Sequence, residues 1–178
     1  MEIACLDLEG VLIPEIWIAF SEKTGINELK RTTRDEPDYD VLMRYRLDVL
    51  KKNGLGLTEI QEVIETLAPL DGAKDFVDWL RERFQVVILS DTFYEFAQPL
   101  MRQLDFPALF CHTLEVDENN NVAGYALRQA NPKRQAIVGF KSMYYRTIAA
   151  GDSYHDTTIL AEAAVGILFS APKKLIKE

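Results

Sequence analysis

Short apolar runs punctuate the chain, and each stops on polar residues. Residues 2–8 (EIACLDL) predict a buried strand that reaches Asp7, with Glu9 and Gly10 just beyond. Residues 85–91 (QVVILSD) predict another, ending on Ser90 and Asp91. A short strand over Thr147–Ala150 leads into GDSYHDTT, and residues 165–169 (VGILF) give a last one. Residues 109–116 and 122–128 read as a hairpin around the Asp117–Asn121 turn. Helical periodicity fills the gaps: 73–83, burying Phe76, Val77 and Leu80; a stretch to about Leu104 that contains Pro99; Pro132 to about Tyr145; and a helix after GDSYHDTT. Apolar strands separated by helices imply an α/β fold, with a parallel sheet covered on both faces.

Residues 12 to about 70 break that alternation. They hold three helical patterns and no strand. The first runs from Pro14 to Gly25, with Ile16, Trp17 and Phe20 on one side. The second runs from Asp40 to Asn53, with Leu42, Tyr45 and Val49. The third opens on a Thr58–Gln61 capping box and carries Ile60, Val63, Ile64 and Leu67. A polar loop (30–38) lies between the first two, and Pro69–Gly72 ends the series. This segment is expected to be a helical cap (12–72) inserted after the first strand of a core formed by 1–11 and 73–178.

With 178 residues, 48% apolar and 27% charged, the chain is sized for one good core and a small second lobe. Its net charge of −8 argues against nucleic acid or an anionic membrane as the main partner, but not against a small anionic substrate. Cys5 and Cys111 suggest neither a disulfide framework nor a zinc site. The N-terminus has no export pattern and no apolar run has membrane length, so the cytoplasm is the expected compartment. A homodimer is compatible with this surface and is not specified by it.

In an open parallel sheet, ligands bind beyond the carboxyl ends of the strands. There the sequence gathers Asp7 and Glu9, Ser90 and Asp91, Lys133 at a helix start, and Asp152 with Ser153 and Asp156. Singly, each has an ordinary role: Ser90 or Asp152 as a helix cap, Lys133 as a solvated cation. Together they suit one task. Carboxylates and backbone oxygens suit a hard cation such as Mg²⁺, which leaves positions for phosphate oxygens. A hydroxyl and an ammonium suit the remaining phosphate oxygens. Asp7 could then attack phosphorus, forming an aspartyl phosphate, while Glu9 protonates the leaving oxygen and later activates the acceptor.

DLEGVL, ILSDT, NPKR and GDSYHDT resemble, in order, the four motifs of the haloacid dehalogenase (HAD) superfamily. The helical insertion is similar to the cap of its phosphoserine phosphatase branch. DLEGVLIPEIWIAFSEKTGI, DWLRERFQVVILSDTFYEF and YYRTIAAGDSY resemble, more closely, the bifunctional members that also pass the phosphoryl group to homoserine. The resemblance implies a Rossmann-like core and a place in serine and threonine biosynthesis. It makes Asp7 the nucleophile and a Mg²⁺ ligand, and Glu9 the acid/base whose carbonyl oxygen also meets the metal. Asp152 becomes the other metal ligand, and Asp156 supports its loop. Ser90 and Lys133 would hold the phosphate with the backbone near Asp91. In the cap, Glu15 would meet the substrate ammonium and Arg46 its carboxylate.

The sequence departs from the pattern in two places. Glu9 stands where the superfamily commonly has Asp, a replacement that the bifunctional members share. His155 stands where they tend to have Asn; it lies beside the metal loop, within reach of substrate, and bears on substrate preference. Those members also usually continue beyond residue 178. Two rivals are another small phosphate monoester as substrate and a receiver-like module that keeps phosphate on Asp. Glu9 and the cap argue for turnover. No G-x-G-x-x-G follows the first strand, which disfavours a dinucleotide. His112, in a strand, is expected to be structural, and Trp17, Phe20, Phe76 and Trp79 to form core and cap seams.

Overall fold

Alternation along the first strand divides the protein's core in two. In the computed structural model, which describes residues 1–32, 35, 36 and 38–177, strand β1 (Glu2–Leu6) sends Ala4 and Leu6 to one apolar cluster. Ile3 and Cys5 enter the other. β1 is central in a six-stranded sheet with β2 (Gln85–Phe93), β3 (Ala108–Val116), β4 (Val122–Ala126), β5 (Arg146–Gly151) and β6 (Val165–Leu168). The order is β4-β3-β2-β1-β5-β6. β1 pairs in parallel with β2 and β5, and Leu6 lies opposite Ile88 and Ala150. β3 joins β2 and β6 joins β5 in parallel. Only β4 is antiparallel, turning back on β3 through the expected hairpin.

Helices α4 (Ala73–Arg81) and α5 (Tyr94–Gln103) cover the Ala4/Leu6 face with Val77, Leu80, Phe96 and Leu100. Helices α6 (Pro132–Ser142) and α7 (Thr157–Glu162) cover the other with Ile137, Phe140 and Ile159. The fold is therefore α/β, with both faces covered, as expected. No helix among the described residues is long and apolar enough to cross a membrane.

Between β1 and α4 come α1 (Ile16–Thr24), a 3₁₀ turn (Asn27–Lys30), α2 (Tyr39–Lys52) and α3 (Leu57–Glu65). Among the described residues this segment has no strand beyond an isolated Glu9–Ile13 bridge. Its ends meet: the Leu70 N–H donates to the Leu12 carbonyl at 2.9 Å. Of the expected polar loop, positions 33, 34 and 37 lie outside the described residues. Asp38 caps α2 by accepting the Val41 N–H.

Two local expectations are corrected. The third helix does not open at Thr58. Its N-cap is Gly56, whose N–H donates to the Glu59 carboxylate at 3.0 Å. A tertiary contact sets this start. Leu57 N–H donates to Asn120 O at 2.8 Å, and a Cβ on Gly56 would meet that oxygen at 2.5 Å. Phe76 and Trp79 are not core or seam residues. They are 41% and 48% exposed and stack on each other outside α4, while Ala73, Val77 and Leu80 face inward. Phe76 falls at the margin of that stripe, where Trp79 offers it a partner.

The inserted helices meet the sheet through aromatic rings. Trp17 of α1 sits edge-on to Phe96 of α5 at 5.4 Å, and Phe96 meets Phe93 at the end of β2 at 5.7 Å. Phe96 is fully buried. Phe96→Ala is expected to cost about 3–5 kcal/mol of unfolding free energy, read by urea denaturation. A loss below about 1 kcal/mol would mean that the seam is not a packed core.

Candidate active site

Parallel pairing brings the ends of β2, β1 and β5 side by side, so the residues just beyond them converge. The Asp7 N–H donates to Ala150 O of β5 at 2.9 Å, which pins the exit of β1 against its neighbour. The Asp7 carboxylate accepts from the Leu8 N–H (2.7 Å) and lies 2.9 Å from Lys133 Nζ. Lys133 occupies the first turn of α6 and is buried, so its ammonium depends on the acids around it. These are Asp7, Asp156 Oδ1 at 2.9 Å and Asp91 Oδ2 at 3.4 Å. Burial alone would lower the lysine pKa, but the three carboxylates hold it well above the usual value.

Asp156 spends its other oxygen on its own loop. Oδ2 accepts from the N–H groups of Asp152 and Ser153 and from the Ser153 hydroxyl, at 3.2, 3.1 and 2.8 Å. Burial acts against ionisation of Asp156, but Lys133 and these donors outweigh it and keep its pKa below normal. Asp7 differs: burial first, with Asp156 and Asp91 adding to it, pushes its carboxyl well above the ordinary range in spite of Lys133. Burial, Asp156 and Glu15 raise Asp152 as well. The cluster is short of positive charge.

The donor set fits a hard divalent cation. One oxygen from each of Asp7, Asp152 and Asp156 lies within 4.8 Å of the others. Asp156 is committed to Lys133 and the loop, so Asp7 and Asp152 are the residues that would hold the ion. Gly10 leaves room for Asp152: it has φ +78°, and a Cβ there would collide with the Asp152 carboxylate.

Glu9 faces the inserted helices rather than this cluster. Its Oε2 accepts the Ile16 N–H at the start of α1 (3.0 Å). Burial, then the neighbouring Glu15 charge, raises its pKa to about 7, against the opposing pull of the Ile16 N–H, Arg46 and the Thr92 hydroxyl. Arg46 is buried on α2, with its guanidinium 4.5 Å over the Trp17 ring. One terminal nitrogen donates to Arg31 O at 2.8 Å, and Nε has no partner among the described residues. Burial lowers Arg46 to about 10 although Glu9, Tyr39 and Glu15 pull it up. Glu15 is exposed just before α1. Ser90 is buried near the end of β2, and its Oγ accepts the Thr92 N–H at 3.2 Å. His155 is exposed, in a 3₁₀ turn (Tyr154–Asp156) that also carries Asp156.

Sequence reasoning missed Thr92 of β2, which opposes the rise of the Glu9 pKa, and Tyr39, whose hydroxyl donates to Asp91 O at 3.3 Å. Alternation past Ser90 points to Thr92; nothing local points to Tyr39. His112 is buried in β3 as expected. Its Nδ1 accepts the Arg128 N–H at 3.1 Å, and Nε2 lies 3.8 Å from Asp91. Two cavities, of about 410 and 270 Å³, open beside Phe106 and Leu70 and share no lining residue with the cluster.

The family model for haloacid dehalogenase-like hydrolases matches residues 1–164. The chain belongs to that family. The phosphoserine phosphatase ThrH of Pseudomonas aeruginosa is 71% identical over 178 residues, covering all of this chain and 87% of its own. A phosphoserine phosphatase of Pseudomonas syringae pv. tomato is 69% identical over the same length, covering 75% of its own. Among solved structures, a phospho-aspartyl intermediate analogue of phosphoserine phosphatase superposes with a TM-score of 0.81 at 19% identity. It covers 99% of this chain and 90% of that one. A substrate-bound phosphoserine phosphatase complex gives the same score at 18% identity, over 99% and 89%. These structural likenesses show a shared haloacid dehalogenase-type fold.

Removing the shared cation of a buried charge cluster leaves its three carboxylates facing one another. Lys133→Met is expected to destabilise the fold by about 3–5 kcal/mol. Adding Asp156→Asn should cost less than the sum of the two single changes, because both act on one network. Strict additivity in denaturation would refute the shared role of Lys133.

Proposed function

We propose that the protein is a Mg²⁺-dependent phosphoserine phosphatase of the cytoplasm, working through an aspartyl phosphate on Asp7. In this reading, residues 12–72 are a cap over a core of 1–11 and 73–178. The observation that carries it is the Asp7 carboxylate, buried 2.9 Å from Lys133 and beside Asp152. The similarity to the two Pseudomonas phosphoserine phosphatases supports the choice of substrate.

Burial opposes the ionised Asp7 that nucleophilic attack requires. Asp7, Asp152 and the Glu9 carbonyl would hold a Mg²⁺, whose charge would lower that cost and screen the phosphoryl oxygens. Lys133, the Ser90 hydroxyl and the backbone near Asp91 hold the phosphoryl group in line with Asp7. The Asp7 oxygen bonds to phosphorus as the bond to the serine oxygen breaks. Glu9, as the acid, gives that oxygen its proton. Its carboxylate then takes a proton from water, the water oxygen bonds to phosphorus, and the acyl phosphate breaks to free Asp7 and inorganic phosphate.

Arg46 supports recognition of an amino acid. It is a buried guanidinium with an unpartnered Nε, suited to the substrate carboxylate. Glu15 takes the ammonium, and His155, beside the metal loop, bounds the site. With homoserine in place of water, the same second step gives phosphohomoserine. The acceptor hydroxyl then loses its proton to Glu9. A homodimer is compatible with this chemistry.

Asp7→Asn should lower phosphoserine turnover with Mg²⁺ by at least about a thousandfold while leaving the melting temperature near wild type. Product analysis with and without homoserine, by phosphorus NMR, should show phosphohomoserine only in its presence. Unchanged turnover by Asp7→Asn rejects the nucleophile. Absence of phosphohomoserine rejects the transfer and leaves a plain phosphatase.

A further inference from the structure

Tyr39 opens α2, and its hydroxyl reaches the carbonyl oxygen of Asp91 on β2 at 3.3 Å. That carbonyl belongs to the same peptide unit as the Thr92 N–H, which donates to Ser90 Oγ at 3.2 Å. A peptide unit is planar and its C=O and N–H point in opposite directions. Whatever turns the carbonyl therefore turns the N–H.

We propose that Tyr39 is a positioning residue: by holding the Asp91 carbonyl it orients the Asp91–Thr92 peptide, and through it the Ser90 hydroxyl. Ser90 Oγ has one proton and two lone pairs. With one lone pair taken by Thr92, the proton is left to point at a phosphoryl oxygen. Hydrogen bonds in series through one peptide also strengthen each other. The chain of contacts thus links an inserted helix to the residue proposed to hold the phosphate.

The surroundings fix the donor. The Tyr39 ring stands edge-on to Tyr125 at 6.0 Å, and the Tyr125 hydroxyl bonds to the Asp40 carboxylate, so the start of α2 is fastened to β4. Burial, with the Asp91 charge beside it, pushes the Tyr39 phenol upward, so it keeps its proton at neutral pH. Phenylalanine would keep the ring contact and lose the hydroxyl.

This inference rests on the reading of Ser90 as a phosphate ligand, and the test separates the two. Tyr39→Phe, Ser90→Ala and the double variant are assayed for kcat and KM with phosphoserine and with p-nitrophenyl phosphate, at saturating Mg²⁺. Tyr39→Phe should lower kcat/KM by about five- to tenfold. In the Ser90→Ala background it should cost less than about twofold more. The same coupling is expected with p-nitrophenyl phosphate, so it survives even if phosphoserine proves not to be the substrate. A role confined to packing would lower the melting temperature and multiply fully with Ser90→Ala; that outcome overturns the inference, as does a Tyr39→Phe enzyme identical to wild type. Ser90→Ala with undiminished turnover of both esters overturns the role of Ser90 and this inference with it.

Discussion

Lys133 Nζ lies 2.9 Å from Asp7, 2.9 Å from Asp156 and 3.4 Å from Asp91, with almost no access to water. An ammonium in that position has to be surrounded by acids, because desolvation costs too much otherwise. Each acid comes from a different segment: the ends of β1 and β2, and the turn after β5. The lysine comes from α6. These four meet only if β2, β1 and β5 are adjacent and parallel, which the register provides. The site therefore ties the sheet order to a charge constraint, and a misregistered strand would leave a buried charge unpaired.

The same cluster is built with too many carboxylates. Asp156 is satisfied by Lys133 and by three donors of its own loop, so its charge is settled. Asp7 and Asp152 are not settled, and both resist ionisation as the protein stands. Such a deficit beside a left-handed glycine turn, where no side chain can intrude on Asp152, supports the proposal of a cation supplied from outside. In the proposed function, Asp156 would be the fixed strut and Asp7 with Asp152 the responsive pair. Glu9 stands apart, among Glu15, Arg46 and Thr92, where its carboxyl can gain and lose a proton near neutrality.

What the sequence revealed and what it hid follow from the range of the forces. Strand runs and their polar ends are local signals, so β1, β2, β5 and the positions of Asp7, Ser90 and Asp152 near their carboxyl ends were legible, as was the run of helices between β1 and α4. Lys133 and Asp156 were placed from their motifs, but not the bond between them, which depends on how α6 crosses the sheet. The start of α3 was misread because Asn120, over fifty residues away, sets it. Phe76 was misread because periodicity cannot tell the middle of an apolar stripe from its margin, and Trp79 decided the matter. Tyr39 carries no local signal at all: its partner is a backbone carbonyl on another element.

Aromatic packing joins the two ends of the proposed substrate site. Arg46 lies on Trp17, Trp17 on Phe96, Phe96 on Phe93, and Phe93 ends the strand that carries Ser90. Each ring contact lies between 5.4 and 5.7 Å, within the usual range for edge-to-face pairs. Rings of this size move little in a close-packed interior. The series therefore acts as a ruler between the guanidinium that would take a carboxylate and the hydroxyl that would take a phosphate. In the proposed function, a spacer of fixed length would favour substrates whose charged ends match it. Selectivity would then come from the spacing imposed by buried rings, with the charged residues supplying recognition at each end.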